Sequence, residues 1–428
     1  MTAQTRETGA WGDPRAMNPL HRLTPEQVEA IGREFQELHD EVFADLGDRD
    51  ARYIRSIIDL QRRLELLGRA LLLVSILPPA WVTGTATLSL AKILASMEIG
   101  HNVLHGQWDW MNDPDIHSSS WDWDLVTPGE AWKYSHNYVH HTFTNVRGKD
   151  KDLGYEIMRI DPQQPWYPVY LLQPLYNILL MGFFEWGIAM HDVDLEAASK
   201  GEKSWTAVWK DLKGMFGKAR NQIVKDYIGW PLLSGISAPT TLAANFTANV
   251  VRNVWAHSII FCGHFPDQCY TFSEEEYENE TPGETYIRQL MGAANIEGGP
   301  VFHVLSGNLG YQVEHHLFPD LPSTRYGEIA PHVREICERY GLPYNTGPLA
   351  QQLAMVHSTI LRLAFPDGKP RPKPGPYKRE EHPDKQTASP VEGDVAVLAR
   401  SALENRAEQV GGAADVGHGE AQEAHRLR

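Results

Sequence analysis

The chain has 428 residues, a formal net charge of -16 and three cysteines. Its length exceeds the usual size of one soluble domain, so we expect two domains or one large fold with long polar ends. Because Cys262, Cys269 and Cys337 form no CxxC pair, a disulfide framework and a thiolate metal site are both disfavoured. No basic stripe is interleaved with aromatic residues, which makes nucleic acid a poor candidate partner.

The two ends of the chain are polar. Residues 1–63 lack the apolar core of a signal peptide, and Thr24 to Leu46 is predicted to be helical with Pro25 at its first position. We predict a cytosolic N-terminal segment with a helix over 1–51, a main domain over 52–347 and a C-terminal helix over 348–364. Residues 365–428 are rich in Pro, Lys, Glu and Gly, which predicts a disordered tail.

Three long runs between the ends carry no charged residue: Ala70 to Ala91, Pro162 to Phe184, and Tyr227 to Val251. A helix needs roughly 20 apolar residues to cross a bilayer, and each run reaches or approaches that length. Since Pro78-Pro79 should break the first run, we predict spans over 64–77, 80–100 and 165–189. The apolar stretch after Asp226 is either a second hairpin joined near Ala243 or one deep span plus a surface helix.

These runs predict an all-α integral membrane protein, multi-pass, with about four transmembrane helices in two hairpins and a cytosolic helical cap. Four crossings would leave both termini and every histidine cluster on the cytosolic side. The alternative is a soluble helical protein with unusually apolar buried helices, which the mean hydropathy of -0.38 favours. The polar ends of the chain, however, lower that mean.

Histidines gather in three short segments. His101 and His105 are four residues apart, and His136 and His140 repeat this spacing, which places each pair on one helix face within about 6 Å. His141 lies about 100° further around the helix and could reach a second ion. Together with His315 and His316, three such faces would enclose two metals. Sites rich in imidazole suit iron, copper, zinc or nickel, and this many nitrogens exceeds the four ligands of one zinc.

The segments HNVLH at 101–105, HNYVHH at 136–141 and QVEHHLFP at 312–319 resemble the three histidine boxes of the membrane-bound fatty acid desaturase family. The resemblance extends from about residue 52 to 347. The stretches MEIGHNVLHGQWDWMNDPDIHSSSWDWD and NVWAHSIIFCGHFPD are most similar to bacterial acyl-CoA desaturases that act at carbon 9 of stearoyl-CoA.

The resemblance implies an oxidoreductase that uses O2 to introduce a cis double bond into a long-chain acyl-CoA or acyl lipid. Its cofactor would be a di-iron centre (Fe2+/Fe3+), and no separate acid or base residue would be needed. The implied metal ligands in the boxes are His101, His105, His136, His140, His141, His315 and His316.

The resemblance also implies an extra ligand from the helix that precedes the third box. His264 and His257 compete for this role, because the seven-residue step between them is about 10 Å along a helix and both could not easily serve the same ions. His264 is favoured, since it would lie at the cytosolic rim with the boxes whereas His257 would lie deeper. Gln312 stands where many relatives have another histidine. Either it reaches a metal through its carbonyl oxygen or through water, or one iron has fewer nitrogen ligands.

Other residues near the boxes have weaker signals. Five carboxylates are expected either to orient the ligand imidazoles or to be solvated: Glu98, Asp109, Asp150, Asp152 and Glu314. Trp108 and Trp132 would wall an acyl tunnel or belong to an interfacial aromatic belt. Arg147 and Lys149 would contact the phosphates of coenzyme A, although cytosolic positive charge near a membrane explains them equally well.

Electrons must come from elsewhere, because the sequence contains neither a Gly-rich dinucleotide fingerprint nor a ferredoxin cysteine spacing. We therefore expect a separate electron-transfer protein, an NAD(P)H reductase or a ferredoxin, in addition to the bilayer and the acyl substrate. One rival function is hydroxylation or ketolation of a lipid, alkane or carotenoid on the same scaffold. Another is a non-catalytic membrane metal-binding protein such as a transporter, which would place ionisable residues inside the spans.

Overall fold

The computed structural model describes residues 18–369 and 373–379. Most of the tail predicted over 365–428, and both chain termini with their predicted cytosolic location, lie outside these residues. The α-helices are α1 (Pro25–Ala44), α2 (Asp48–Leu72), α3 (Pro78–Leu94), α4 (Gly129–Trp132), α5 (Gln173–Gly182), α6 (Phe184–Val193), α7 (Leu195–Ser199), α8 (Trp205–Gln222), α9 (Ala238–His264), α10 (Glu274–Tyr277), α11 (Pro282–Gly292), α12 (Pro300–Leu305), α13 (Gln312–Leu317), α14 (Tyr326–Tyr340) and α15 (Leu349–Leu363).

Short 3-10 turns connect several of these helices, at Pro19–Arg22, Asp109–Met111, Leu153–Glu156, Pro168–Leu172, Gly235–Ser237, Leu309–Tyr311 and Ser323–Arg325. Two three-residue strands, β1 (Asn295–Glu297) and β2 (Thr346–Pro348), pair in parallel, with Ile296 opposite Gly347. This small sheet ties the segment before the third histidine box to the start of α15.

Three helices continue without a break into π-helical segments. α3 runs into Ala95–His101 and then Asn102–Leu104, α4 into Lys133–His140 and then His141–Phe143, and α8 into Ile223–Gly229 and then Trp230–Leu233. The first two π segments contain His101 of box one and His136 and His140 of box two, where the spacing had predicted regular α-helix.

α1 braces the third histidine box. It begins at Pro25 because the Thr24 hydroxyl accepts from the Gln27 amide while the Gln27 side chain accepts from the Thr24 amide, a complete capping box. The helix lies within the predicted range of 24–46. Its buried Ile31 and Phe35 belong to the apolar core that also contains Val313 and Phe318. The packing of α1 therefore helps to fix the segment that carries His315 and His316.

The prediction of about four transmembrane helices in two hairpins is wrong. Among the described residues, no helix combines the length and the apolar character needed to cross a bilayer. One reason is that the uncharged runs are interrupted. The first breaks between Leu72 and Pro78, the second forms an α-helix only over Gln173–Gly182, and the third turns at Gly235.

The composition of the longer helices is the other reason. α2 spans 25 residues but includes ten charged side chains from Asp48 to Arg69. α9 spans 27 residues and buries Arg252 together with Asn245, Asn249 and Asn253. Further charges are paired in the interior, where Arg69 and Lys92 contact Asp226 at 2.7 and 2.8 Å. The absence of charge over 20 residues was thus a poor measure of hydropathy.

Candidate metal centre

The three histidine segments and the C-terminal end of α9 meet in the interior. A first histidine cluster consists of His101, His105, His136 and His315, and a second of His140, His264 and His316. Within each cluster, one ligand-type nitrogen per residue lies within 4.8 Å of every other. The segments that the sequence singled out are therefore brought together in two groups, each with the composition of a metal site.

Three further side chains predicted to be near the metals take different positions. His141 lies between the clusters, with ring centroids 4.8 Å from His105 and 4.5 Å from His316. The Gln312 amide lies 3.0 Å from His264 Nε2, and its Oε1 has no partner among the described residues. His257 lies apart from both clusters, with its Nε2 3.1 Å from Asn177 Oδ1 and its ring stacked on Phe261.

Two carboxylates fix the orientation of the imidazoles from box two. Asp150 accepts from His140 Nδ1 at 3.1 Å, and Asp152 accepts from His136 Nδ1 at 3.2 Å. Asp150 is itself held by the amides of Asn145 and Asp152. Because the proton of each ring resides on Nδ1, the lone pair of each Nε2 points into its cluster.

Neutral partners do the same for the other segments. The amide nitrogen of Asn102 donates to two carbonyls, so its oxygen accepts from His101 Nδ1 at 3.0 Å. The Tyr326 hydroxyl donates to the Phe318 carbonyl and accepts from His315 Nδ1 at 3.1 Å. Gln289 donates to the His141 carbonyl, which leaves its oxygen to accept from His316 Nδ1 at 3.0 Å.

The opposite nitrogens make the case for a metal. His105, His136, His140 and His315 each have a buried Nε2 without a hydrogen-bond partner in the described part of the chain, and both nitrogens of His141 are in the same situation. The Nε2 atoms of His264 and His316 face each other at 3.2 Å. Buried polar atoms without partners are costly, and so many converging lone pairs are accounted for by bound cations. The residues present therefore fit a pair of histidine-bound metal ions.

Burial also keeps these imidazoles neutral. It lowers the pKa of His101 to about 3 and holds the pKa values of His105, His264, His315 and His316 well below the usual value. At His140 burial acts in the same direction, but Asp150 outweighs it and the pKa is raised. Neutral imidazole is the form that binds metal ions, so most of the site is ready for ligation without loss of a proton.

Only two of the five predicted carboxylates contact a clustered histidine. Asp150 and Asp152 do so, whereas Glu98 accepts from Tyr53, Asn308 and Ser323. Asp109 accepts from the backbone and hydroxyl of Ser118, and Glu314 accepts from Asn295 and Tyr344. These three brace the segments that carry the histidines instead of orienting the rings, because their partners lie on neighbouring loops and helices.

An apolar cavity adjoins the first cluster. Its volume is about 70 Å³. His101, His136 and Trp132 are among its lining residues, as are the apolar side chains of Met97 and Ile260. The cavity thus leads from an apolar interior directly to candidate metal ligands.

The residues predicted to contact the substrate take different positions in the structure. Trp132 lines the cavity and stacks on His136 with ring centroids 4.5 Å apart. Trp108 is instead buried in a separate apolar cluster beside Ile99 and Val103. Arg147 lies 3.6 Å from Asp161, and Lys149 lies 3.4 Å from Glu274, so both cations already have acidic neighbours.

Several residues that contact the candidate ligands escaped the sequence analysis. His191 Nε2 lies 3.1 Å from Asp152, on the carboxylate oxygen opposite the one bound to His136. Burial opposes protonation of His191, yet the hydrogen bond to Asp152 raises its pKa to about 9. Gln289 and Tyr326 likewise have no local motif. Asn102 could have been found, because it directly follows His101.

A thiolate-free set of neutral imidazoles beside an apolar cavity defines a class of non-haem metal oxidoreductases that act on hydrophobic substrates. The sequence profile of the fatty acid desaturase family matches residues 77–348. The chain is 45% identical over 349 residues to an NADPH-dependent stearoyl-CoA 9-desaturase of Mycobacterium tuberculosis, covering 81% of this chain and 82% of the relative. It is also 24% identical to an sn-1 linoleoyl-lipid 6-desaturase of Synechocystis sp., covering 78% and 94% of the two chains.

The chain belongs to the fatty acid desaturase family, and it is an oxidoreductase that introduces double bonds into fatty acyl chains. The resemblance noted in its histidine segments is thereby confirmed. The histidine clusters are the part of the structure that suits this chemistry.

Proposed function

We propose that this protein introduces a cis double bond at carbon 9 of a long-chain acyl-CoA, with stearoyl-CoA as its main substrate. The single observation that carries the proposal is the pair of histidine clusters, with His101 and His136 of the first cluster lining an apolar cavity. The position of the double bond and the coenzyme A head group are supported by the 45% identity to a stearoyl-CoA 9-desaturase.

We propose that the metals are two irons. His101, His105, His136 and His315 would hold one, and His140, His264 and His316 the other, with His141 between them and Gln312 Oε1 beside His264. Imidazole suits iron, and the open positions expected of six-coordinate ions suit O2. When bound, the irons supply the oxidising chemistry: two hydrogens leave adjacent carbons and, with two electrons and two protons, convert O2 into two waters.

The residues of the chain itself position the reactants. Asp150, Asp152, Asn102, Gln289 and Tyr326 hold five imidazoles with their lone pairs directed inward, so little rearrangement is needed on metal binding. The apolar lining of the cavity would direct the acyl chain toward His101 and His136 of the first cluster. Selection of one methylene among many then depends on position alone, because the methylenes are chemically alike.

The two electrons require a donor, which we propose to be a separate NAD(P)H-dependent reductase or a ferredoxin. The Mycobacterium tuberculosis relative is described as NADPH-dependent. The present sequence contains no dinucleotide-binding fingerprint or ferredoxin spacing of its own.

We also propose a lipid bilayer as a partner, on the evidence of one apolar end of the protein. The turn between α2 and α3 and the segment before α9 lie together there, since the Ile76 amide donates to Ser237 Oγ at 3.2 Å. Both turns expose apolar side chains to between 41% and 82%: Leu73, Val74, Ile76, Leu77, Leu232, Leu233 and Ile236. A contiguous exposed patch of this kind is typical of a surface that contacts lipid or another protein.

Expression in a host of defined fatty acid composition, followed by location of new double bonds by mass spectrometry, tests the function. We expect oleate formed from stearate, and His140→Ala should abolish it. A hydroxyl or keto group in the product would instead support a hydroxylase or ketolase. An unchanged fatty acid profile in cells that contain the iron-loaded protein and a working donor would reject the proposal.

A further inference from the structure

His191 is a buried histidine that belongs to neither cluster but is linked to the first. It lies near the C-terminal end of α6, and its side chain is only 7% exposed. Its Nε2 donates to one oxygen of Asp152 at 3.1 Å, while the other oxygen of Asp152 accepts from His136 Nδ1 at 3.2 Å. The three side chains therefore form a hydrogen-bonded series that ends at a candidate metal ligand.

Asp152 would not be confined to His136 without this hydrogen bond. The oxygen that accepts from His136 lies only 3.9 Å from His140 Nδ1. Asp152, His136 and His140 also offer ligand-type atoms within 4.8 Å of one another, which is close enough to hold a metal ion. A carboxylate held at one oxygen alone could turn toward either alternative. The hydrogen bond from His191 to the second oxygen fixes the plane of the carboxylate, so the first oxygen stays on His136.

The loop that carries this carboxylate is strained and is held against the end of α6. Residues 154–156 have φ angles of 69°, 51° and 58° in turn, which is unfavourable for the tyrosine and the glutamate. The Tyr155 ring packs edge-on against His191, with centroids 5.4 Å apart, and Lys151 contacts Asp194 directly after α6. Strained backbone persists only where surrounding contacts fix it, so the end of α6 helps to position this loop.

Asp192, the next residue of α6, holds the helix of box two directly. Its carboxylate accepts from Ser135 Oγ at 2.6 Å and from Thr127 Oγ1 at 2.5 Å, and Ser135 immediately precedes His136. His191 and Asp192 also line the same cavity as His136. Two consecutive residues thus support one candidate ligand, the first through a carboxylate and the second through the ligand's neighbour in the chain.

Neither metal ligation nor packing alone explains why a histidine occupies this position. The Nε2 of His191 is directed at Asp152, and among the described residues His191 belongs to no group close enough to hold a metal. Burial of an imidazole costs free energy that an apolar ring would not cost, unless a hydrogen bond compensates for it. Here the compensating partner is the carboxylate that orients His136.

We propose that His191 is a positioning residue of the first cluster: it fixes the Asp152 carboxylate, which in turn fixes the His136 imidazole with its Nε2 lone pair toward the metal. The inference rests on the proposed function for the presence of iron in this cluster. Because His140 is held by Asp150, the role is confined to one cluster. Loss of the His191 hydrogen bond should therefore weaken one metal site and leave the other unchanged.

Anaerobic titration of the full-length, metal-free protein with Fe2+ against a coloured chelator measures both sites. His191→Phe keeps an aromatic ring but has no N–H group, and it should weaken one of the two sites about tenfold, the lower end of the usual effect of losing a group that orients a histidine ligand. His191→Gln has no ring, but its amide can donate to Asp152, so its iron affinity should stay within about twofold of native. A packing role predicts the reverse order.

His257→Phe is the matched control. His257 is likewise a buried histidine with one hydrogen bond, to Asn177 at 3.1 Å, but it lies apart from both clusters. Its replacement should leave both iron affinities at the native value. If His191→Phe does not fold, His191→Met takes its place as the variant without a donor.

A double-mutant cycle tests whether His191 acts through Asp152. In an Asp152→Asn background, His191→Phe should cause no further loss of iron affinity, because the carboxylate through which it acts is gone. Additive losses would overturn the proposal. Native iron binding by the variant without a donor, or equal weakening in that variant and in His191→Gln, would overturn it as well.

The titration also separates this inference from the proposed function. A native protein that binds no iron would reject both. A native protein that binds two irons with the same affinities as His191→Phe would reject only the role of His191. The predicted effects of the His191 variants, in a protein that forms no oleate from stearate when reduced, would reject the proposed reaction and uphold the role of His191.

Discussion

Asp150→Asn provides a sharp test of how the second cluster is organised. One Asp150 oxygen accepts from His140 Nδ1 and from the Asp152 amide at 3.0 Å, and the other accepts from His140 Nδ1 and from the Asn145 amide at 2.7 Å. An asparagine has one oxygen and one NH2 group. Whichever way it is turned, its NH2 group faces a buried backbone N–H that then lacks an acceptor.

Loss of a partner that orients a histidine ligand typically weakens metal binding 10- to 100-fold. At about 1.4 kcal/mol per factor of ten, this is roughly 1.4 to 2.8 kcal/mol of iron-binding free energy. The buried backbone N–H left without an acceptor should separately lower the free energy of unfolding by about 1 to 3 kcal/mol. Competition with a coloured iron chelator measures the affinity, and denaturant unfolding of the metal-free protein measures the stability.

Asp109→Asn is the matched control. The sequence predicted the same role for both aspartates, but Asp109 accepts from Ser118 at 2.7 and 2.6 Å, away from the rings. Its replacement should leave iron affinity within about twofold of native, as expected for a group without a role in orienting ligands. Equal iron affinities for native protein and Asp150→Asn, or equal losses in both variants, would refute the reasoning.

Three further predictions follow from other parts of the structure. A methyl group on Gly263 would lie 2.8 Å from the Gln312 side chain, so Gly263→Ala should displace Gln312 from His264 and lower the iron content from about two per chain toward one. Gly217→Ala is the control, because its added methyl group meets open space and should leave the iron content unchanged. Equal metal contents of the two variants by elemental analysis would contradict a role for Gln312. The hydrogen bond to Asp320 is the main cause that raises the pKa of His39 to about 9, so its stabilising contribution is complete below about pH 6.5 and is lost as the pH rises through about 9. Because the carboxylate of Asp320 is exposed, the free energy of unfolding of the native protein should fall by only about 1 kcal/mol more than that of His39→Gln between pH 6.5 and 9.5. An equal pH dependence of the free energy of unfolding in the two proteins would count against this ion pair. The double variant Leu77→Asp/Ile236→Asp should reduce binding to phospholipid vesicles at least about tenfold in flotation assays, since burial of each aliphatic side chain contributes roughly 1.5 to 3 kcal/mol. Ile157→Asp, at another exposed position, should leave vesicle binding unchanged. Undiminished binding of the double variant would exclude the apolar end around Leu77 and Ile236 as the lipid contact.

The histidine clusters could be predicted because their signal is local. A spacing of four residues places His101 with His105, and His136 with His140, on common helix faces. The structure keeps the first pair in one cluster and divides the second pair between the two clusters. Helix geometry also separated His264 from His257, and only His264 lies within a cluster. Its role as a metal ligand stays a prediction. The π-helical turns of boxes one and two were missed, since an α-helical spacing does not distinguish the two kinds of helix.

The partners that orient the imidazoles could be predicted only in part. Asp150 and Asp152 stand close to box two in sequence and were anticipated. Gln289 and Tyr326 reach their histidines across the tertiary fold, from 27 and 11 residues away in the chain, and carry no motif. For Glu98 the sequence was misleading, because its nearness to box one suggested a contact with a histidine. In the structure Glu98 instead accepts from Tyr53, Ser323 and Asn308.

The membrane-spanning helices were predicted wrongly for a physical reason. Counting charged residues treated Ser, Thr, Asn and Gly as if they were apolar, and it took no account of the helix break at Gly235. It also could not reveal that Arg69, Lys92 and Asp226 pair with one another in the interior. Burial of these charges depends on contacts between distant segments, which no window along the sequence records.

The central claim is that two histidine clusters each hold one iron. The most direct test is anomalous X-ray diffraction at the iron edge from crystals of the iron-loaded protein. We predict two anomalous peaks, one among His101, His105, His136 and His315 and one among His140, His264 and His316. A single peak, or peaks outside these clusters, would contradict the account.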